Sequence, residues 1–194
     1  MGTRMKRFGT WVLAVASVGI GGGSLLLFGY FVLFGTRWPI DIAGTATARL
    51  AFDAALCLAF FGQHSAMIRR SVRQRLATLV PATFHPAVYS VASGVALSLL
   101  VLAWQPTSDY LFRLPGPLRY VSFAIAALAV AGFTWGVCSL PRFDPFGTQP
   151  LEAARRGASE PPCALAVRGP YRYVRHPLYL FMLLLIWSTP RLST

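Results

Sequence analysis

Long apolar runs free of charge alternate with short polar, mostly basic, stretches along the whole chain. Phe8 to Thr36, Pro86 to Trp104 and Tyr120 to Leu140 carry no charged residue, and Leu50 to Ile68 carries one, Asp53. A helix needs ~20 apolar residues to cross the hydrocarbon core of a bilayer. The four runs therefore predict full transmembrane helices over about 8–36, 50–68, 86–104 and 120–140. A fifth run, from Pro177 to Pro190, has 14 residues. At 1.5 Å per residue that is roughly 21 Å of helix, short of a core ~30 Å thick. The expected fold class is all-α: a polytopic membrane helix bundle with four full transmembrane helices and a short or truncated fifth over 177–190. Residues 1–194 are read as a single membrane domain, with 141–177 as its long polar loop.

Composition sharpens this picture. The chain has 194 residues, 55% hydrophobic and 12% charged, with a mean hydropathy of +0.55. Soluble domains carry about a quarter charged residues, so the composition excludes a disordered chain and argues against an ordinary soluble domain. The net charge is +12, from 18 basic residues, all but Lys6 of them Arg, against six acids. In a soluble chain this excess would suggest nucleic acid. Here the cations sit in blocks that flank apolar runs: Arg4, Lys6 and Arg7; Arg69, Arg70, Arg73 and Arg75; and Arg142, Arg155, Arg156, Arg168, Arg172 and Arg175. That is the signature of orientation by the positive-inside rule, with attraction to anionic lipid. The expectation is a cytoplasmic N-terminus and a cytoplasmic 141–177 loop, with membrane lipid and not nucleic acid as partner. Cys57, Cys138 and Cys163 form no CxxC pair, so neither a disulfide framework nor a metal site is expected. Gly19, Gly21, Gly22 and Gly23 allow close helix contact, and Gly19 and Gly23 have the small-xxx-small spacing.

The densest candidate chemistry is Arg168-Gly169-Pro170-Tyr171-Arg172-Tyr173-Val174-Arg175-His176-Pro177-Leu178-Tyr179. Gly-Pro makes a turn, and Pro177 suits the first helical position because its missing N–H is unneeded there. The helix start then offers free backbone donors beside Arg175 and His176, a site that attracts a carboxylate or phosphate. Tyr171, Tyr173 and Tyr179 add aromatic faces for stacking or for a cation. Arg and Tyr also belong at a membrane boundary for their own sake, and spacing alone leaves both readings open.

This string resembles the hallmark of the membrane methyltransferases related to isoprenylcysteine carboxyl methyltransferase and phospholipid N-methyltransferases. Phe61-Gly62-Gln63-His64-Ser65-Ala66-Met67, Phe143-Asp144-Pro145-Phe146-Gly147 and Trp187-Ser188-Thr189-Pro190 look like the methanethiol S-methyltransferase and NnrU-like branch of that superfamily. The resemblance implies a bacterial inner-membrane enzyme that uses S-adenosylmethionine to methylate a small lipophilic thiol, methanethiol to dimethyl sulfide. It also implies that Tyr171, His176, Pro177, Leu178 and Tyr179 line the cofactor, with backbone contacts from Cys163 to Ala166, including Leu165. Two departures stand out. Relatives have Gly where this chain has Phe181, and they continue with further helix and a polar motif containing Glu and Arg. The expectation is a C-terminally truncated or remnant chain.

Asp53, Cys57 and His64 are 4 and 7 residues apart, so an α-helix places them on one stripe. Ionisable groups within spans face the interior or a cavity. A pair with Arg49 one turn away is the simplest role for Asp53. For His64 the alternatives are a hydrogen bond to the long loop or a place in the acceptor pocket with Gln63. His85 reads as a boundary residue. Thiol methylation needs the thiolate, and His64 or His176 is the candidate to take the proton. NnrU-like relatives also include a haem-containing isomerase, so the alternative reading makes His64 and His176 axial ligands of a haem b.

Overall fold

The computed structural model describes residues 2–35, 44–105, 110–140, 143–158 and 167–193. Among these residues the α-helices are α1 (Gly2–Phe34), α2 (Ala46–Ile68), α3 (Arg70–Ala77), α4 (His85–Ala103), α5 (Gly116–Cys138), α6 (Thr148–Arg156) and α7 (Pro177–Trp187). Two short strands, β1 (Tyr110–Arg113) and β2 (Arg191–Ser193), form one antiparallel pair.

The four anticipated spans are present as α1, α2, α4 and α5, each long and apolar enough to cross a membrane. Their ends follow local chemistry. Proline lies in the first turn of both α4 and α5, where a backbone N–H is not required. The short fifth helix is α7, with 11 residues, about 16 Å of rise. Large apolar side chains point outward along these helices: Leu26 is 79% exposed, Leu58 73% and Leu128 70%. A water-soluble chain would bury them, whereas lipid solvates them at no cost. The chain is a polytopic all-α membrane protein.

The helices divide into two compact units, Met1–Phe28, Ala51–Trp104 and Asp144–Pro162 in one, and Gly29–Leu50, Gln105–Phe143 and Cys163–Thr194 in the other. In the first unit α1 and α4 meet through small residues. A Cβ on Gly94 would lie 2.9 Å from the Ile20 carbonyl oxygen, and one on Gly21 would lie 2.5 Å from Ser90 Oγ. Ser90 Oγ donates to the Ser17 carbonyl at 3.2 Å. Gly19 and Gly23 have open space instead. Of the four expected glycines, Gly21 and Gly22 make the close contacts and the Gly19–Gly23 pair does not, because the small residues of α4 decide which face of α1 is used.

Asp144 to Gly147 of the Phe143–Gly147 motif form a corner in this unit. Asp144 Oδ2 accepts the Gln149 N–H at 2.5 Å and its Oδ1 accepts the Thr148 hydroxyl at 3.1 Å, capping α6. Gly147 has φ +67°, and a Cβ there would overlap Pro86 and Ala87. The Phe146 ring covers Gly21 and Gly22. The long polar loop thus contains a short helix that the pattern of residues did not announce.

In the second unit α7 packs along α5. Phe181 fills the space above Gly132, Leu178 that above Gly136, and Ser122 Oγ donates to the Ser188 carbonyl. The large ring at position 181 is thus accommodated by a glycine on the facing helix. Beyond α7 the chain pairs with β1, Phe112 opposite Leu192 and Arg113 opposite Arg191.

Candidate cofactor turn and polar cluster

The His-Pro motif forms the entry to α7. Gly169 has φ +55°, and a Cβ there would overlap Ser139 Oγ, so only glycine fits. It opens a 3-10 turn over Gly169–Arg172, whose Pro170 carbonyl accepts the N–H groups of Tyr173 and Val174, both at 3.0 Å. Pro170 and Pro177 are buried and anchor the two ends of the turn. A residue before proline is kept out of the helical region, and His176, with φ −129° and ψ +63°, is the last non-helical position.

The first intrahelical bond at this end runs from the Leu180 N–H to the His176 carbonyl at 3.2 Å. Pro177 has no N–H, so Leu178 and Tyr179 carry the uncompensated donors of the first turn, and no side chain of His176 caps them. Their two N–H groups and the positive end of the helix dipole suit a carboxylate. Beside them the His176 and Tyr179 rings stack, 5.6 Å between centroids at 30°. Tyr179 is 70% exposed, and Tyr171 is half-buried. Burial raises the Tyr171 phenol above its ordinary pKa. Tyr171 lies in the 3-10 turn, and His176, Leu178 and Tyr179 lie at the start of α7 within eight residues of it in sequence. The Pro177 and Leu178 side chains are committed to packing, so their contribution here is backbone. Leu165 and the Cys163–Ala166 segment lie outside the described residues.

The first unit holds a separate polar cluster. His64, on α2, is met by two residues of α4 one turn apart. Tyr89 Oη lies 2.8 Å from Nε2 and 3.1 Å from Nδ1, and Ser93 Oγ lies 3.2 Å from Nδ1. The Phe60 ring stacks on the imidazole at 5.4 Å. Among the described residues, the hydrogen-bond partners of His64 are on α4. Gln63 Nε2 contacts Met67 Sδ at 2.9 Å, while its Oε1 is buried with no hydrogen-bond partner among the described residues. Asp53 is 5% exposed and Cys57 is half-buried, in keeping with one inward stripe on α2. His85 is also buried, its Nε2 at 2.9 Å from the Val80 carbonyl. Tyr89 and Ser93 escaped the sequence reading; polar positions 89, 90 and 93 inside an apolar span were their only signal.

A haem is not favoured by these residues. Axial ligation needs an open ring nitrogen, and both nitrogens of His64 lie within hydrogen-bond distance of hydroxyls. For S-adenosylmethionine the fit is better, since the α7 entry offers donors for its carboxylate, faces for its adenine and an aromatic ring for its sulfonium.

Comparison with known proteins places the chain. It is 32% identical over 180 residues to a methanethiol S-methyltransferase of a Pseudomonas species (strain GM41), covering 88% of this chain and 66% of that protein. It is 32% identical over 166 residues to the methanethiol S-methyltransferase of Pseudomonas deceptionensis, with 82% and 58% covered. A methanethiol S-methyltransferase of Mycobacterium tuberculosis is 26% identical over 196 residues, with 97% and 79% covered. The chain thus spans less than two thirds of the length of the two Pseudomonas relatives. No solved structure matches. The family model described as NnrU protein matches residues 54–191, from α2 through the His-Pro turn and α7 to the start of β2. With well over half of its length matched, this chain belongs to the NnrU family.

Proposed function

We propose that this chain works as a membrane methyltransferase that transfers a methyl group from S-adenosylmethionine to a small lipophilic thiol. The observation that carries the reading is the start of α7, where two uncapped N–H groups lie beside the stacked His176 and Tyr179 rings. The relatives named methanethiol S-methyltransferase support it and suggest methanethiol as the acceptor.

When bound, the cofactor supplies a methyl group already activated on a positively charged sulfur. The protein's part is to position and to exclude water. The Leu178 and Tyr179 N–H groups hold a carboxylate, Tyr171 and the His176–Tyr179 pair offer ring faces, and buried Pro170 and Pro177 keep the turn rigid. The acceptor must lose its S–H proton before its sulfur attacks carbon. His64, Tyr89 and Gln63 suit that task. The Tyr89 hydroxyl takes the thiol proton as it passes its own to His64, and the Gln63 side chain lines the acceptor pocket beside them. His176 belongs to the cofactor surface in this scheme.

The test is headspace detection of labelled dimethyl sulfide from membranes carrying the chain, supplied with methyl-labelled S-adenosylmethionine and methanethiol. Labelled product that disappears in His176→Ala and Tyr171→Ala is expected. No product, under conditions where the Pseudomonas relative gives it, overturns the reading.

A further inference from the structure

The segment joining α2 to α4 plays no part in the proposed methyl transfer. α3 starts two residues after α2 ends at Ile68, and α4 begins at His85. Positions 70, 73, 74 and 77 share one face of α3. That face, with Ala82 and His85, lines an open cavity of about 300 Å³. Val72 and Leu76, on the other side of the helix, are half-buried and fix its rotation.

Charge in this place is one-sided. Positions 69, 70, 73 and 75 are Arg, and no Asp or Glu occurs between residues 54 and 108. None of these four forms an ion pair with a described residue, whereas Arg155 and Arg156 share Glu152. Two guanidinium groups, Arg70 and Arg73, and the amide of Gln74 thus face a cavity with no protein anion to answer them. Guanidinium matches phosphate in planar, bidentate geometry. The cavity also lies between the ends of two helices long and apolar enough to cross a membrane, Ala46–Ile68 and Ala82–Ala103, the region where headgroups meet a spanning protein. Exposed Ile68 (57%) and Leu79 (82%) flank α3 in sequence and suit an acyl chain.

We propose that this cavity binds the phosphate of an anionic phospholipid headgroup, with Arg70 and Arg73 as its principal contacts. The site is independent of the methyl-transfer reading.

Binding of a fluorescent phosphatidylglycerol to the full chain in detergent micelles tests it. Saturable binding is expected, weakened roughly tenfold or more in Arg70→Gln/Arg73→Gln. Arg155→Gln/Arg156→Gln retains it. Ala77→Glu, which places an acid on the same face, weakens it as well and covers the case in which the double variant does not fold. Neither phosphatidylcholine nor millimolar inorganic phosphate competes. Competition by phosphatidylcholine, or unchanged affinity in a folded Arg70→Gln/Arg73→Gln protein, overturns the proposal. Full competition by inorganic phosphate overturns the lipid assignment and makes free phosphate the occupant.

Discussion

The Phe181 ring occupies the space that Gly132 leaves on α5: a Cβ on Gly132 would fall within the ring's own volume. Four residues on, Gly136 receives Leu178 in the same way, so a glycine pair one turn apart seats the helix that begins with the His-Pro turn.

This fit makes α7 sensitive to a single methyl group. Gly132→Ala is expected to destabilise the chain by roughly 1–3 kcal/mol through overpacking. Phe181→Ala removes the clash, so the double variant loses less than the sum, with a coupling of about 0.5–3 kcal/mol. Thermal unfolding in one detergent across the four proteins measures it. Additive losses contradict the packing.

The Tyr89 hydroxyl is the second sensitive contact. Under the proposed reaction His64→Ala lowers turnover by roughly 10²–10⁴-fold, the range of a proton-transfer group. Tyr89→Phe, which keeps the ring and removes the relay, lowers it in the same direction while leaving the KM for the cofactor unchanged. Steady-state rates with both substrates varied separate the two effects. Full activity in Tyr89→Phe rules the relay out.

Asp144 and Gly147 act on structure alone. Asp144→Ala removes both capping bonds at the start of α6 and is expected to cost about 0.5–2 kcal/mol. Gly147→Ala is worse, because left-handed backbone costs roughly 1–2 kcal/mol and its Cβ would also overlap Pro86 and Ala87. Melting temperatures should fall in that order. An unchanged melting temperature for Gly147→Ala contradicts the corner.

How far these features were legible depends on what the sequence has to encode. A span needs one long apolar run, so α1, α2, α4 and α5 could be read directly, and Pro177 announced the start of α7. Helix contacts need two faces. Spacing pointed to Gly19 and Gly23, whereas Gly21, Gly94, Gly132 and Gly136 make the contacts, because the partner helix selects the face. The same limit hid Tyr89 and Ser93 as partners of His64. α6 is short and polar, and β1 and β2 pair over three or four residues each, too little for a periodic signal. The His-Pro turn was legible because it is local: Gly169, Pro170, His176 and Pro177 set its backbone through their own covalent geometry.

Burial of Tyr171 gives a pH prediction. Its pKa lies above the ordinary tyrosine value because the phenolate is poorly solvated there. The neutral form therefore contributes stability that is present below the unfolded-state value, ~10, and is lost as pH rises through the higher folded value. Difference absorbance against Tyr171→Phe should show phenolate forming later than in free tyrosine, and cofactor affinity should be flat from about pH 7 to 9. Ionisation at or below the free value contradicts the burial.

The most direct test of the cofactor turn is equilibrium binding of labelled S-adenosylmethionine to the purified chain in detergent. Wild type is compared with His176→Ala, Tyr171→Ala and Tyr173→Ala, the last removing a ring that is 81% exposed. Saturable binding, weakened at least about tenfold in the first two variants and kept in the third, is the predicted result. Absence of saturable binding at millimolar cofactor, or equal binding by all four proteins, contradicts it.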